Sequence, residues 1–230
     1  MTKIIDRHEA EYLAYELFRA VRNATDAENI KSLKNCLISF GGNDVTWDSV
    51  TPEGVTFLHT TASYDSLNSV KTLIALGMDP AITDNDGNTV LHHAFDLNGM
   101  LDTGWHGGHV IDWALENGFD INAKNNLGQT PLFLLSRSLH EYADDSYAPF
   151  EESEETEKDI ANFVERFEAL GGDFYHKDHE GRTFIDMFPV HPNLQQLDGL
   201  INSWKAKMMR HTLEQEVDDL DTKKVAHKKM

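Results

Sequence analysis

"DNDGNTVLHHAF", residues 84–95, reads as a tight turn that runs straight into a helix. Gly87 is free to take the positive φ that closes such a turn. Thr89, two residues on, is placed to accept from the orphan amides of a helix beginning at once. The same arrangement recurs as "TPEGVTFLHTTA" (51–62), "NNLGQTPLFLLS" (125–136) and "DHEGRTFIDMF" (178–188). Thr56, Thr130 and Thr183 then stand where Thr89 stands, and Pro131 falls on the first helical position, where its fixed φ and missing N–H cost nothing.

The spacing of these copies is uneven. The turn glycines Gly54, Gly87, Gly128 and Gly181 are separated by 33, 41 and 53 residues. A second series, Gly77, Gly118 and Gly171, follows apolar-periodic stretches such as "VKTLIAL" and "VIDWALEN" and suits the left-handed residue after a helix. From each of these to the next turn glycine is 10 residues every time, so all growth lies inside the units and none in the connector. Each unit is a turn, a short helix, a second helix and a return. Neither helix can bury its apolar stripe alone, so neighbouring units must stack.

The segment Thr51–Thr83 carries Gly54, Thr56, Leu58, His59, Ala62, Leu67, Val70, Leu73, Gly77 and Asp79 at the positions of a 33-residue motif, and in this it resembles the ankyrin repeat. The resemblance runs from about residue 51 to 188. The family's Pro after the Thr is present only at Pro131, and its His survives as His59 and His92 but is Phe133 and Asp186 in the later units. The fold class expected is all-α: an ankyrin-repeat α-solenoid of about five helix-pair units including caps, with two inter-helix insertions. The units are an N-terminal cap over 1–50, repeats over 51–83, 84–124 and 125–177, a closing unit over 178–204, and an amphipathic helical extension with a basic tail over 205–230. Gly42 lies 12 residues before Gly54, two more than the connector allows, so the first turn is expected to be distorted.

Within the units, turn glycine and helix-end glycine are 23, 31 and 43 residues apart, so the second and third repeats carry about 8 and 20 extra residues between their helices. The first insertion lies in "LNGMLDTGWHGGH" (97–109), with Trp105 among glycines. The second, 141–159, holds nine acids against Lys158, with Tyr142, Tyr147 and Phe150 set among them. Such a loop suits a basic partner surface, and it equally suits a solvated insertion without a role.

Charge narrows the function classes. With 39 Asp and Glu against 20 Lys and Arg, the formal charge is -19, which speaks against direct binding of nucleic acid. The one cysteine, Cys36, permits no disulfide framework and no multi-cysteine zinc site. No apolar run is long enough to span a membrane, and the N-terminus lacks a secretory signal pattern, so a cytoplasmic protein is expected. No phosphate loop or nucleophile elbow occurs. Among 12 histidines, His92, His93, His106 and His109 form the one group that suggests a metal or hydrolytic site, and His59 and His92 have a structural reading in the repeat.

The resemblance implies a non-enzymatic protein-protein interaction module without cofactor or metal, binding through hairpin tips and inner helices. With the charge, it points to sequestering or inhibiting a protein with a basic surface, as an immunity or anti-defence protein of a bacterium or phage would. The candidate contacts are the turn residues Glu53, Asn85, Asp86, Asn126, His179 and Glu180 and the insertion residues Trp105, Tyr142, Tyr147 and Phe150. Two other classes remain open: an acidic decoy imitating nucleic acid, and a metal-binding or hydrolytic protein built on the His group. Oligomeric state is open.

Overall fold

The computed structural model describes residues 51–95, 108–136, 154–188 and 197–227, with His8 and Tyr12. These residues form helices joined by turns, with no strand among them and an isolated bridge between Thr83 and Thr89. The first unit pairs α1 (Phe57–Ser63) with α2 (Leu67–Ala75), and the second pairs α3 (Val90–Ala94) with α4 (His109–Glu116). The third begins with a helix α5 over residues 132–136 and returns along α6 (Glu154–Ala169). The fourth replaces its first helix by one 3-10 turn, Phe184–Met187, and ends in α7 (Asp198–His227).

Each first helix starts as the sequence requires. Thr56 and Thr89 have extended backbone and cap α1 and α3, each in a reciprocal box with the histidine three residues on. The histidine Nδ1 accepts from the threonine N–H, at 3.1 Å for His59 and 3.2 Å for His92, which leaves the ring proton on Nε2. That Nε2 donates onward, from His59 to the Ile82 carbonyl in the connector that ends its own unit at 3.2 Å and from His92 to the Gln129 carbonyl of the next unit at 3.0 Å. One side chain therefore closes a helix start and ties it to the chain that follows, in the case of His92 across two repeats. In the fourth unit Asp186 takes the local half of this role, accepting from the Thr183 N–H at 2.8 Å. Phe133 cannot, and Thr130 Oγ1 is left buried without a partner.

Stacking supplies the core. α1 packs on both α2 and α3, and α4 packs on α2 and α3, so α1 and α3 form an inner layer with α2 and α4 behind. Leu58, Val70, Leu73, Val90 and Leu91 are fully buried between them. Each such side chain contributes roughly 1.5–3 kcal/mol relative to exposure. Further along, Phe95 meets Phe163 and Phe167 of α6 at 4.6 and 5.5 Å between ring centres, and Trp204 of α7 closes over Phe184 and Phe188 at 5.6 and 5.7 Å.

One expectation changes here. The last acids of the 141–159 insertion are not loop: α6 starts at Glu154, so the residues from 154 to 159 are its first turns. The closing helix and the amphipathic helical extension expected after it form one element, α7, unbroken for 30 residues and reaching into the basic tail. The N-terminal cap, most of the first insertion and residues 137–153 lie outside the described residues.

Candidate partner-binding surface

The surface best defined by its own bonding is the row of turns. Asp84 shows how one is built. Its amide donates to the Asn88 carbonyl at 3.0 Å, its carbonyl accepts from Gly87 N–H at 3.0 Å, and its Oδ1 accepts from the amides of Asp86 and Asn88. Asn125 and Asp178 repeat the pattern with Oδ1 bonds to Leu127 and Gln129 and to Glu180 and Arg182. Thr51 does so with its hydroxyl, which accepts from Val55 N–H at 3.2 Å. Three residue types thus make one turn shape, because each offers a side-chain oxygen to the amide four residues on, and the Asp and Asn residues also to the amide two residues on.

The turns then bond to each other. The Asn85 N–H donates to the Glu53 carbonyl at 2.9 Å, Asn126 N–H to Asp86 at 2.9 Å, and His179 N–H to Leu127 at 3.0 Å. The side chains of Asn85 and Asn126 add bonds of 3.0 Å to the Pro52 and Asn85 carbonyls of the turn before. So close an approach needs glycine twice over. At Gly87 the φ is +78°, and a Cβ there would lie 2.7 Å from Asn126 Oδ1. At Gly181 the φ is +77° with nothing within 4 Å, since among the described residues no further turn follows it.

Charges are buried beneath this row. Desolvation acts to raise the Asp84 carboxyl, but bonds from His93 Nε2 at 3.0 Å and from the Asn88 side chain and amide outweigh it and hold the group well below the usual carboxylate range. Burial, and next the neighbouring His93 whose ring centre is 4.7 Å away, push His59 down to about 3, so His59 is neutral at pH 7. Asp178 is likewise lowered, its desolvation offset by the Arg182 amide and guanidinium and by Gln129. These are scaffold bonds, each with a turn or helix start to hold.

A family model described as ankyrin repeats, in three copies, matches residues 17–103. Over those residues the chain is similar to ankyrin repeats. The bonding of the turns at Asn125 and Asp178 continues the same ankyrin geometry beyond the matched span. Ankyrin repeats generally mediate binding between proteins, and the family is typically without catalytic activity. No helix among the described residues is long and apolar enough to cross a membrane.

In this array the six turn candidates Glu53, Asn85, Asp86, Asn126, His179 and Glu180 are all exposed and all lie in the row of tips. They fall into two columns. Asn85, Asn126 and His179 are the residues whose amides bond back to the preceding turn, and two of them spend their side chains there as well. Glu53, Asp86 and Glu180 stand next to the turn glycine, and Leu127, which sequence reasoning passed over, shares their column at 51% exposure. Its signal was present: an apolar side chain inside an otherwise polar turn. Trp105, Tyr142, Tyr147 and Phe150 lie outside the described residues.

The three described members of the histidine group are each engaged elsewhere. Both ring nitrogens of His92 are engaged with Thr89 and Gln129. His93 is bonded to Asp84, while His109 lies at the start of α4 with Nδ1 3.0 Å from Asp65 of the preceding unit. His106 is outside the described residues. Among the described residues no three histidines, cysteines or acids converge as a metal would require. Ser136 Oγ, fully buried, donates to the Phe184 carbonyl at 2.8 Å.

Proposed function

We propose that this chain is a non-enzymatic ankyrin-repeat module that sequesters or inhibits a protein partner with a basic surface, gripping it along the tips. The observation that carries the reading is the outward column of Glu53, Asp86, Leu127 and Glu180 on turns bonded backbone to backbone. A column held by main-chain bonds loses little freedom when a partner docks, which favours affinity. Carboxylates spaced along it orient a basic surface, and Leu127 among them gives apolar contact that charge alone does not. That apolar member favours a protein partner over the decoy reading, which needs acids only. A role as immunity or anti-defence protein is one use of such a module.

The test is capture from lysate of the native host with wild type and with the E53K/D86K/E180K variant, whose changes sit at exposed positions. The reading expects basic proteins retained by wild type and lost by the variant at equal fold stability. An identical retained set, or retention that disappears from both with modest salt, removes the tip column from the account.

A further inference from the structure

The long helix α7 has two opposite uses. Leu197, Ile201 and Trp204 are buried against the body, Lys207 bonds to Glu168 at 2.7 Å, and His211 stacks on Tyr175 at 3.7 Å between ring centres. Beyond His211 every side chain from Thr212 to Leu220 is exposed. Met209, Leu213, Val217 and Leu220 are 67%, 55%, 56% and 56% exposed. At roughly 100° per residue these four form one stripe, about 140° around the helix from the Ile201–Trp204–Met208 face. The stripe therefore faces away from the solenoid along its whole length, and exposed Ala206 and Asn202 continue it toward the N-terminal end.

The charges beside the stripe are separated along the helix. Residues 205–210 hold Lys205, Lys207 and Arg210 with no acid, and residues 214–219 hold Glu214, Glu216, Asp218 and Asp219 with no base. A parallel neighbour of the same sequence would set acids against acids. An antiparallel one reverses this: pairing centred on Leu213 places Met209 against Val217, Leu213 against its own copy and Leu220 over the small Ala206. On one flank Arg210 then comes within a turn of Glu214 of the second copy, and on the other Lys205 within a turn of Asp219. We infer that the outer stripe of α7 is a self-association surface on which a second copy of this chain docks antiparallel, centred on Leu213.

Sedimentation over a concentration series should show reversible growth from 26.0 kDa to twice that mass. L213E, which sets two carboxylates at the symmetry centre, should abolish it while leaving the helical circular dichroism intact. R210E should weaken association at least tenfold, and R210E/E214R should restore it, because the double change re-forms the pair with its sign reversed. In a C36S background, oxidation of mixed M209C and V217C chains should link the two kinds, and neither kind alone should link to itself. A chain that stays monomeric at the highest concentration overturns the inference, as does self-linking of M209C alone, which would mean a parallel pair. Binding of vesicles by a monomer that L213E abolishes would assign the stripe to a lipid surface instead and equally overturn it.

Discussion

Replacing threonine by valine at two equivalent positions should change stability in opposite directions. At Thr89 the hydroxyl lies 2.9 Å from His92 Nδ1 and within 3.4 Å of the His92 amide, so it closes the start of α3. At Thr130, which precedes α5 in the same register, Phe133 replaces the histidine and the buried hydroxyl has no partner. Valine fills nearly the same space in both. T89V removes the side-chain cap while His92 Nδ1 keeps the main-chain N–H of residue 89, a loss of about 1–2 kcal/mol. T130V removes a polar atom whose desolvation nothing offsets, a gain of about 1 kcal/mol or somewhat more. Urea denaturation of both variants and wild type, at pH 7.5 and with a common slope, reads the difference directly. In a chain of this size each kcal/mol moves the thermal midpoint by about 2–4 °C, so calorimetry supplies a second measurement. If T130V proved as destabilising as T89V, the Thr130 hydroxyl would have to be bonded, and the account of what Phe133 does to its unit would fall.

Alanine scanning of the turn glycines should separate strain from crowding. G87A adds a Cβ 2.7 Å from Asn126 Oδ1 and 3.0 Å from its amide, whereas G181A meets nothing, so G181A should lose only the ~1–2 kcal/mol of a left-handed residue and G87A clearly more. Equal losses in urea would show that the approach of neighbouring turns is soft. Asp65, itself at φ +49°, caps α4 from the preceding unit by accepting from the amides of His109 at 3.1 Å and Val110 at 2.8 Å. D65A should therefore destabilise by ~1–2 kcal/mol and speed amide exchange at residues 109 and 110, and unchanged exchange there would contradict it. Acid should unfold the array early. The folded-state value of His59, about 3, lies below its ordinary 6.5, so the stability it contributes is complete above pH 6.5 and drains away as the pH falls toward 3. Between pH 8 and 5 that amounts to roughly 2 kcal/mol, measurable as a shift of the urea midpoint that should flatten in H59Q.

Much of the architecture was legible in the sequence because its signals are short-ranged. A threonine cap, a glycine at positive φ and a histidine three residues into a helix each act within one turn of chain, so "DNDGNTVLHHAF" announces its own conformation. Growth inside the units shows as length alone, since the connector is 10 residues in three successive copies while the interior of the unit lengthens. The candidate surface was legible only in part. Asn85 and Asp86 look alike as exposed polar turn residues, yet one bonds back to Pro52 and the other faces outward. What separates them is the position of another turn 33 residues away, and no local pattern encodes it.

Residue chemistry by itself decided where helices begin, which turns are tight and that units must stack. The tertiary structure decided which of those residues remain exposed, that Asp65 serves a helix in the next unit, that His92 and His93 are engaged in the scaffold and that α7 runs on past the body. The division has one physical cause. Backbone conformation is set by groups within about four residues of each other, whereas exposure and partnership depend on how one repeat is translated onto the next.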